Sequence, residues 1–367
     1  MQRILVSLVS DQTIPNILLI RELRNVDRYL FITTPQMEKK EKSACIMKAA
    51  EIPEDRTMVI EVAEDSLVDI KKRLEKCDFE DEDEFYVNLT GGTKIMSIGV
   101  YNFFRERKSE IYYIPIGKNI YRKIFPEVKN KEFDLGFRIG LKQYLQGYGI
   151  EIVNQKDGSG FVAQPDYTEY FFDTWKSPPS GFFDFIDRLR EKRGRKSVPL
   201  RDIDGLESML EKIRFKPAGQ DRLLKKEIAY LTGGWFEEYI FSQIEKAFHK
   251  NPGFIASDVN IRRSDVENEF DVMFMHENTL HVIECKTSIY DKQTKKNIAN
   301  DSIYKLSALS HDFGLRVPSY LVTLSRKGKQ KNHVKDAFIK RAGLLGISII
   351  YGDLLLNAPL SKALNIS

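Results

Sequence analysis

Asp271 and the run Glu284-Cys285-Lys286 are the residues of this chain whose types and spacing suit chemistry. Asn268-Glu269-Phe270-Asp271-Val272 and Leu280-His281-Val282-Ile283-Glu284-Cys285-Lys286-Thr287 read as two neighbouring strands. Side chains alternate between the faces of a strand, so Glu284 and Lys286 project from one face, Ile283 and Cys285 from the other. Two carboxylates and an ammonium converging on one point suit a divalent cation that activates water against a phosphodiester. The same parity buries the Cys285 side chain opposite the site and argues against a thiol nucleophile. The five histidines show no ligand spacing.

A third acid has to come from the helix that precedes these strands. Residues 224–250 carry one long helical pattern with Gly233-Gly234 inside it. At 100° per residue Phe236, Ile240, Ile244 and Ala247 share a face, with Glu237 on its edge and Glu238 on the far side. A carboxylate on the inward side needs a partner, and a metal site is one. Glu237 is therefore the expected third acid and Glu238 its solvent-facing neighbour; a lysine nearby on the helix is the plainer partner. Phe254 to Ile261 reads as the strand before Asp271, and His276 to Thr279 as the hairpin turn after it. A helix over about 295–311 carries Lys305 on its flank. Lys292, Lys295, Lys296, Lys305, Arg326, Lys327, Lys329 and Lys331 are placed to guide a phosphate backbone without reading sequence, or to form a solvated surface.

The N-terminal region is organised differently. Apolar runs at 3–9, 29–34, 57–62 and 84–89 alternate with helical patterns, and 111–116 with 119–125 read as a hairpin. Such alternation implies a mostly parallel sheet, with ligands at the carboxyl ends of its strands. Two polar loops fall there: Ser10-Asp11-Gln12-Thr13 and Asn88-Leu89-Thr90-Gly91-Gly92-Thr93-Lys94. The second follows a strand and opens a helix, where backbone N–H groups favour phosphate. It lacks the Gly-x-x-x-x-Gly-Lys-Ser/Thr spacing of a P-loop.

Composition bounds the rest. A chain of 367 residues implies two domains. A net charge of +4 does not by itself mark a nucleic-acid binder. Three scattered cysteines exclude a disulfide framework and structural zinc. The N-terminus turns polar before a signal core forms, and no apolar run reaches membrane-spanning length, so the expected location is the cytoplasm. Residues 131–220 read as a connector. Its aromatics (Tyr167, Tyr170, Phe171, Phe172, Trp175) suit interdomain packing better than base stacking, and Glu191–Lys196 reads as a solvated basic linker.

Asn88-Leu89-Thr90-Gly91-Gly92-Thr93-Lys94-Ile95-Met96 resembles the signature of CARF domains, the Rossmann-like sensors of type III CRISPR systems. The resemblance implies a cyclic oligoadenylate, the tetramer before the hexamer, bound across the two-fold axis of a homodimer. The implied contacts are Ser10, Asp11, Gln12, Thr13, Thr90, Gly91, Gly92, Thr93 and Lys94. The order helix, strands, Asp, Glu-x-Lys, helix, strand is similar to the PD-(D/E)xK restriction-endonuclease-like fold. The expected chain is thus α/β throughout: a Rossmann-like CARF domain over 1–130, a connector over 131–220 and a restriction-endonuclease-like domain over 221–367. Its expected catalytic residues are Glu237, Asp271, Glu284 and Lys286, with Mg²⁺ or Mn²⁺ held by Asp271, Glu284 and the Cys285 carbonyl. The family implies cutting of single-stranded DNA, RNA or both, with nicking of duplex DNA in reach. The rival expectation is a nucleotide-sensing regulator whose C-terminal domain binds nucleic acid without cutting it.

Overall fold

The apolar runs of the N-terminal region pair as one sheet in the order β3-β2-β1-β4-β5-β6-β7. Its strands are β1 (Arg3–Leu8), β2 (Arg28–Thr33), β3 (Thr57–Glu61), β4 (Glu84–Asn88), β5 (Ser109–Tyr113), β6 (Ile120–Phe125) and β7 (Glu132–Asp134). β1 to β5 are parallel and the last two antiparallel. This computed structural model describes residues 1–129, 131–158, 160–248, 251–291, 296–330 and 332–366.

The central strand β1 is covered on both faces, as its unbroken apolar sequence requires. Leu5 packs on α1 (Ile14–Glu22) and on α3 (Lys42–Ala50), which follows the short α2 (Pro35–Lys39). Val6 and Leu8 face α4 (Leu67–Leu74) and α5 (Lys94–Phe104) through Ile70, Leu74, Val100 and Phe104. Pro15 and Pro35 sit in the first turns of their helices, where a missing N–H costs nothing.

The segment after β7 joins the second domain physically. After α6 (Leu141–Gly147), β8 (Glu151–Lys156) becomes the edge strand of the C-terminal sheet. There follow α7 (Pro165–Lys176), α8 (Phe182–Arg190), β9 (Ser197–Pro199), α9 (Leu206–Lys212), β10 (Arg222–Leu224) and α10 (Lys225–Ala229). Phe171, Phe182 and Phe185 share one core with Trp235, Phe236, Val272 and Ile283. The connector aromatics expected between the domains therefore build the C-terminal core.

The expected long helix over 224–250 is broken. α10 ends, Tyr230–Gly234 forms one π-helical turn with Gly233 outside helical geometry, and α11 (Trp235–Phe248) begins anew. The Thr232 hydroxyl bonds back to the Ile228 carbonyl, while Arg193 donates to the Thr232 hydroxyl and carbonyl. These bonds replace regular helix bonds at the glycine pair. The remaining strands and α-helices are β11 (Ile255–Arg263), β12 (Val266–His276), β13 (Thr279–Lys286), β14 (Tyr290–Asp291), β15 (Lys296–Asn297), α12 (Ala299–Ser310), β16 (Ser319–Thr323), α13 (Asp336–Leu344), β17 (Ile347–Ile350), α14 (Gly352–Asn357) and α15 (Leu360–Ala363). The second sheet runs β17-β16-β13-β12-β11-β8, parallel from β13 to β17 and antiparallel from β13 to β8.

One apolar core runs through both domains. Ile17 of α1, Leu145 of α6 and Val259, Phe270 and Leu280 of the second sheet belong to a single cluster. Buried Tyr144 of α6 donates its hydroxyl to the Phe313 carbonyl at 2.9 Å. No described helix is long and apolar enough to cross a membrane.

Candidate active site and ligand loops

The hairpin register sets Val272 opposite Ile283, so Asp271 and Glu284 fall side by side where β12 and β13 open into the cleft. The Cys285 N–H donates to Asp271 Oδ2 at 2.6 Å. Lys286 Nζ lies 2.7 Å from Glu284 Oε1 and 3.5 Å from Asp271 Oδ2, and donates to the Cys285 carbonyl at 3.1 Å. Lys305, from α12, sits 3.5 Å from Glu284 Oε2 and donates to the Glu269 carbonyl. Glu284, only 5% exposed, is thus held between two ammonium groups.

α11 adds Glu237 to the same cleft, whose walls include Lys286 and Thr287 on one side and Arg190 and Arg193 on the other. Burial raises the Glu237 carboxyl well above its ordinary value; Asp271, Asp258 and Glu284 raise it further, and Lys286 opposes them. Burial and Glu284 push Asp271 up to about 6. Lys286 is held protonated, since its carboxylate neighbours outweigh its own burial. The Cys285 thiol lies in the core with Ile283 and Val322, and burial raises its pKa well above that of a free thiol. It is inert as a nucleophile.

Whether these residues suit a divalent cation is answered by their oxygens. The Lys286 ammonium already bridges Glu284 Oε1, the Cys285 carbonyl and Asp271 Oδ2. Hard oxygens around one positive charge, with carboxylates that repel one another without it, fit Mg²⁺ or Mn²⁺. Among the described residues no three acidic, His or Cys side chains stand close enough to form such a centre alone, so a cation here would need further oxygens such as the Cys285 carbonyl.

Glu238 departs from expectation. It is 8% exposed, not solvent-facing, because the segment after β8 covers the far side of α11. Val162 N–H donates to Glu238 Oε1 at 2.8 Å, and burial raises its carboxyl to about 7. Helix phase assumed one covered face; the connector covers a second. Asp258 was not foreseen. The pairs Ser257↔Val272 and Val259↔Phe270 set it across from Asp271, and Lys156 of β8 pairs with it. It is the one charged residue in the strand segment Ile255–Ile261, and that was its only signal.

The basic residues divide. Lys305 enters the site and Arg326 lines an adjoining hollow, while Lys327 turns away to Asp336 at 2.7 Å and Lys329 is exposed. Lys292, Lys295, Lys331 and the Lys296 side chain lie outside the described residues. In the basic linker, Arg193 is exposed and also donates to the Thr232 hydroxyl.

At the other end of the chain, buried Asn88 ties the two loops together. Its side-chain N–H donates to Asn16 Oδ1 at 2.8 Å, and Asn16 donates to the Leu8 carbonyl at 2.9 Å. Asn88 Oδ1 accepts from the Thr90 N–H and hydroxyl, and Thr90 Oγ1 accepts from Ile114 N–H. A Cβ on Gly91 would lie 2.2 Å from the Leu8 carbonyl oxygen, and Gly92 has φ +72°, so both positions demand glycine. Thr93 caps α5 by accepting from Met96 N–H, and Lys94 is exposed at the helix start. Asp11 is exposed and paired with Lys40, while the Ser10 hydroxyl accepts the Gln12 N–H. Thr13 and Gln12 face inward: the buried Thr13 hydroxyl donates to the Gly147 carbonyl at 2.6 Å, and Gln12 Oε1 accepts from Tyr148 OH and Leu315 N–H, each at 3.2 Å.

A Rossmann-like sensor-type domain joined to an α/β domain with an acidic, lysine-bearing cleft defines the class. The family models agree: that of the Card1 CARF domain matches residues 4–144, and that of the Card1-like endonuclease domain matches residues 224–357. The chain thus carries a Card1-type CARF domain followed by a Card1-like endonuclease domain. Among solved structures it is similar to Can2 from Sulfobacillus thermosulfidooxidans in complex with cyclic tetra-adenylate, with TM-score 0.74 and 22% identity over 98% of this chain and 99% of that one. It is similar also to protein VC1899 from Vibrio cholerae, with TM-score 0.72 and 18% identity over 98% and 97%. A third likeness is a type III CRISPR defence DNA nuclease activated by cyclic oligoadenylate, with TM-score 0.55 and 13% identity over 94% of this chain and 52% of that one. A comparison with curated proteins finds no significant match.

Proposed function

We propose that the protein is a cytoplasmic, homodimeric nuclease of type III CRISPR defence, switched on by cyclic tetraadenylate and cutting single-stranded DNA, RNA or both, with duplex nicking as a lesser activity. The observation that carries this reading is the gathering of Glu237, Asp271, Glu284 and Lys286 at one cleft, in a chain whose other sheet ends in the Asn88–Lys94 turn. The binding of cyclic tetra-adenylate by the similar Can2 supports the choice of activator.

Asp271, Glu284 and the Cys285 carbonyl would hold Mg²⁺ or Mn²⁺, which would supply an activated water and positive charge at the scissile phosphate. Glu237, with its carboxyl pKa raised, is suited to exchange a proton in the cleft. Lys286 orients the attacking water and stabilises the charge that builds on the phosphoryl oxygens. Lys305 balances the second oxygen of Glu284 and fixes that carboxylate.

The activator meets Ser10, Asp11, Thr90, Gly91, Gly92, Thr93 and Lys94 at the sheet's carboxyl edge, while Gln12 and Thr13 act from behind the loop. Exposed Leu67 and Val68 of α4 and Ile98 of α5 supply apolar surface for an isologous contact. Gln12 gives the loop a mechanical route onward. It grips Leu315, which follows the helix that carries Lys305 to Glu284.

The test is cutting of labelled single-stranded DNA and RNA in Mn²⁺ or EDTA, by the wild type and Glu284→Ala. With cyclic tetraadenylate present, the reading requires cutting in Mn²⁺ and none in EDTA, and loss of that cutting in the variant. Undiminished cutting by Glu284→Ala would sink the site assignment.

A further inference from the structure

The catalytic cleft continues past Lys286. Asp187, Arg190, Thr287 and Ser288 line both the cleft and a second hollow beside it, so the two form one groove. The far part of that groove has an aromatic wall made by Trp175 of α7 and Phe183 of α8. Phe183 is 46% exposed, although its neighbours Phe182 and Phe185 are buried. It is held rather than loose. Its ring meets Trp175 edge-to-face with centroids 5.1 Å apart, and Trp175 is braced by Phe182 at 5.7 Å and Trp235 at 5.4 Å.

The rim of this wall is cationic. Arg190 stands where the two hollows meet, donating to Asp187 at 2.9 Å and to Thr287 at 3.3 Å. Lys176 and Arg326 line the far side. A rigid aromatic surface beside an arginine, continuous with a phosphodiester-cutting cleft, matches a polyanion that carries exposed planar groups. A duplex keeps its base faces stacked inside and cannot offer them.

We infer that Trp175 and Phe183 form a stacking subsite for an unpaired nucleobase of the strand being cut, with Arg190 guiding the adjoining phosphate. The inference rests on the nuclease reading and deepens it, since it derives single-strand preference from two residues of the connector. For Trp175 it also reverses the expectation that favoured packing over base stacking.

The test uses full-length protein with cyclic tetraadenylate and EDTA, and fluorescence anisotropy of fluorescein-labelled oligothymidylate against a labelled blunt duplex. Phe183→Ala weakens oligothymidylate binding about tenfold, or about 1.4 kcal/mol, and leaves duplex binding unchanged. Phe183→Trp restores the affinity and Phe183→Leu does not. Phe183 is exposed, so these variants fold. Unchanged oligothymidylate binding by Phe183→Ala, equal loss on the duplex, or full rescue by leucine overturns the subsite while wild-type cutting persists. Wild-type protein that neither binds nor cuts either nucleic acid overturns the nuclease reading along with it.

Discussion

At the scale of single residues, the acidic centre is strained by its own charge. Asp271 holds its proton up to about 6 against an ordinary 3.8, so the folded chain binds that proton more tightly than the unfolded chain does. In EDTA, stability therefore falls as pH rises through that window. Asp271→Asn keeps an acceptor for the Cys285 N–H and removes a repelling charge. Its melting temperature in EDTA at neutral pH is expected to rise by about 2–4 °C, equivalent to about 1 kcal/mol, while cutting in Mn²⁺ disappears. A lower melting temperature would show that the carboxylate's contact with Lys286 outweighs the repulsion. Lys286→Ala is expected to slow cutting by at least about a hundredfold at unchanged substrate affinity, read from single-turnover rates. The Glu-x-Lys spacing made Glu284 and Lys286 legible because strand parity alone fixes their common side. Glu238 was misjudged because the segment after β8, far away in the chain, covers it, and Asp258 was missed because only the β11–β12 register sets it across from Asp271.

Secondary-structure elements carry the second level. The parallel sheet was readable because its strands are mostly apolar runs and every helix between them except α3 opens at a proline or a capping Thr or Ser, as Thr34, Ser66 and Thr93 show. β8 was not readable: Glu151–Lys156 is polar at most positions, as an edge strand permits, and only its pairing with β11 defines it. The break at Tyr230–Gly234 was hidden for a similar reason, since Arg193 stabilises it from another part of the chain. The Asn88–Lys94 turn is the element that least tolerates change. Gly91→Ala forces a methyl group against the Leu8 carbonyl and is expected to cost about 2–3 kcal/mol by denaturant unfolding, with loss of activator binding. A variant as stable as the wild type would show that the turn relaxes freely.

At the scale of the molecule, the shared core makes sensor and nuclease one mechanical body rather than two beads on a linker. Gln12 is one of several polar links in that body and the one that joins the ligand loop to Leu315. Gln12→Ala is expected to leave activator affinity within a few-fold while lowering the activated cutting rate about tenfold; equal losses in affinity and rate would instead make Gln12 a ligand contact. Val68→Glu on exposed α4 is expected to weaken the proposed homodimer, measured by sedimentation. The central claim is that a nucleotide signal at one sheet governs hydrolysis at the other. Its most direct test is the single-turnover rate of cutting a labelled single strand in Mn²⁺, with and without saturating cyclic tetraadenylate. The account predicts at least a tenfold acceleration by the activator, and equal rates in its presence and absence would contradict it.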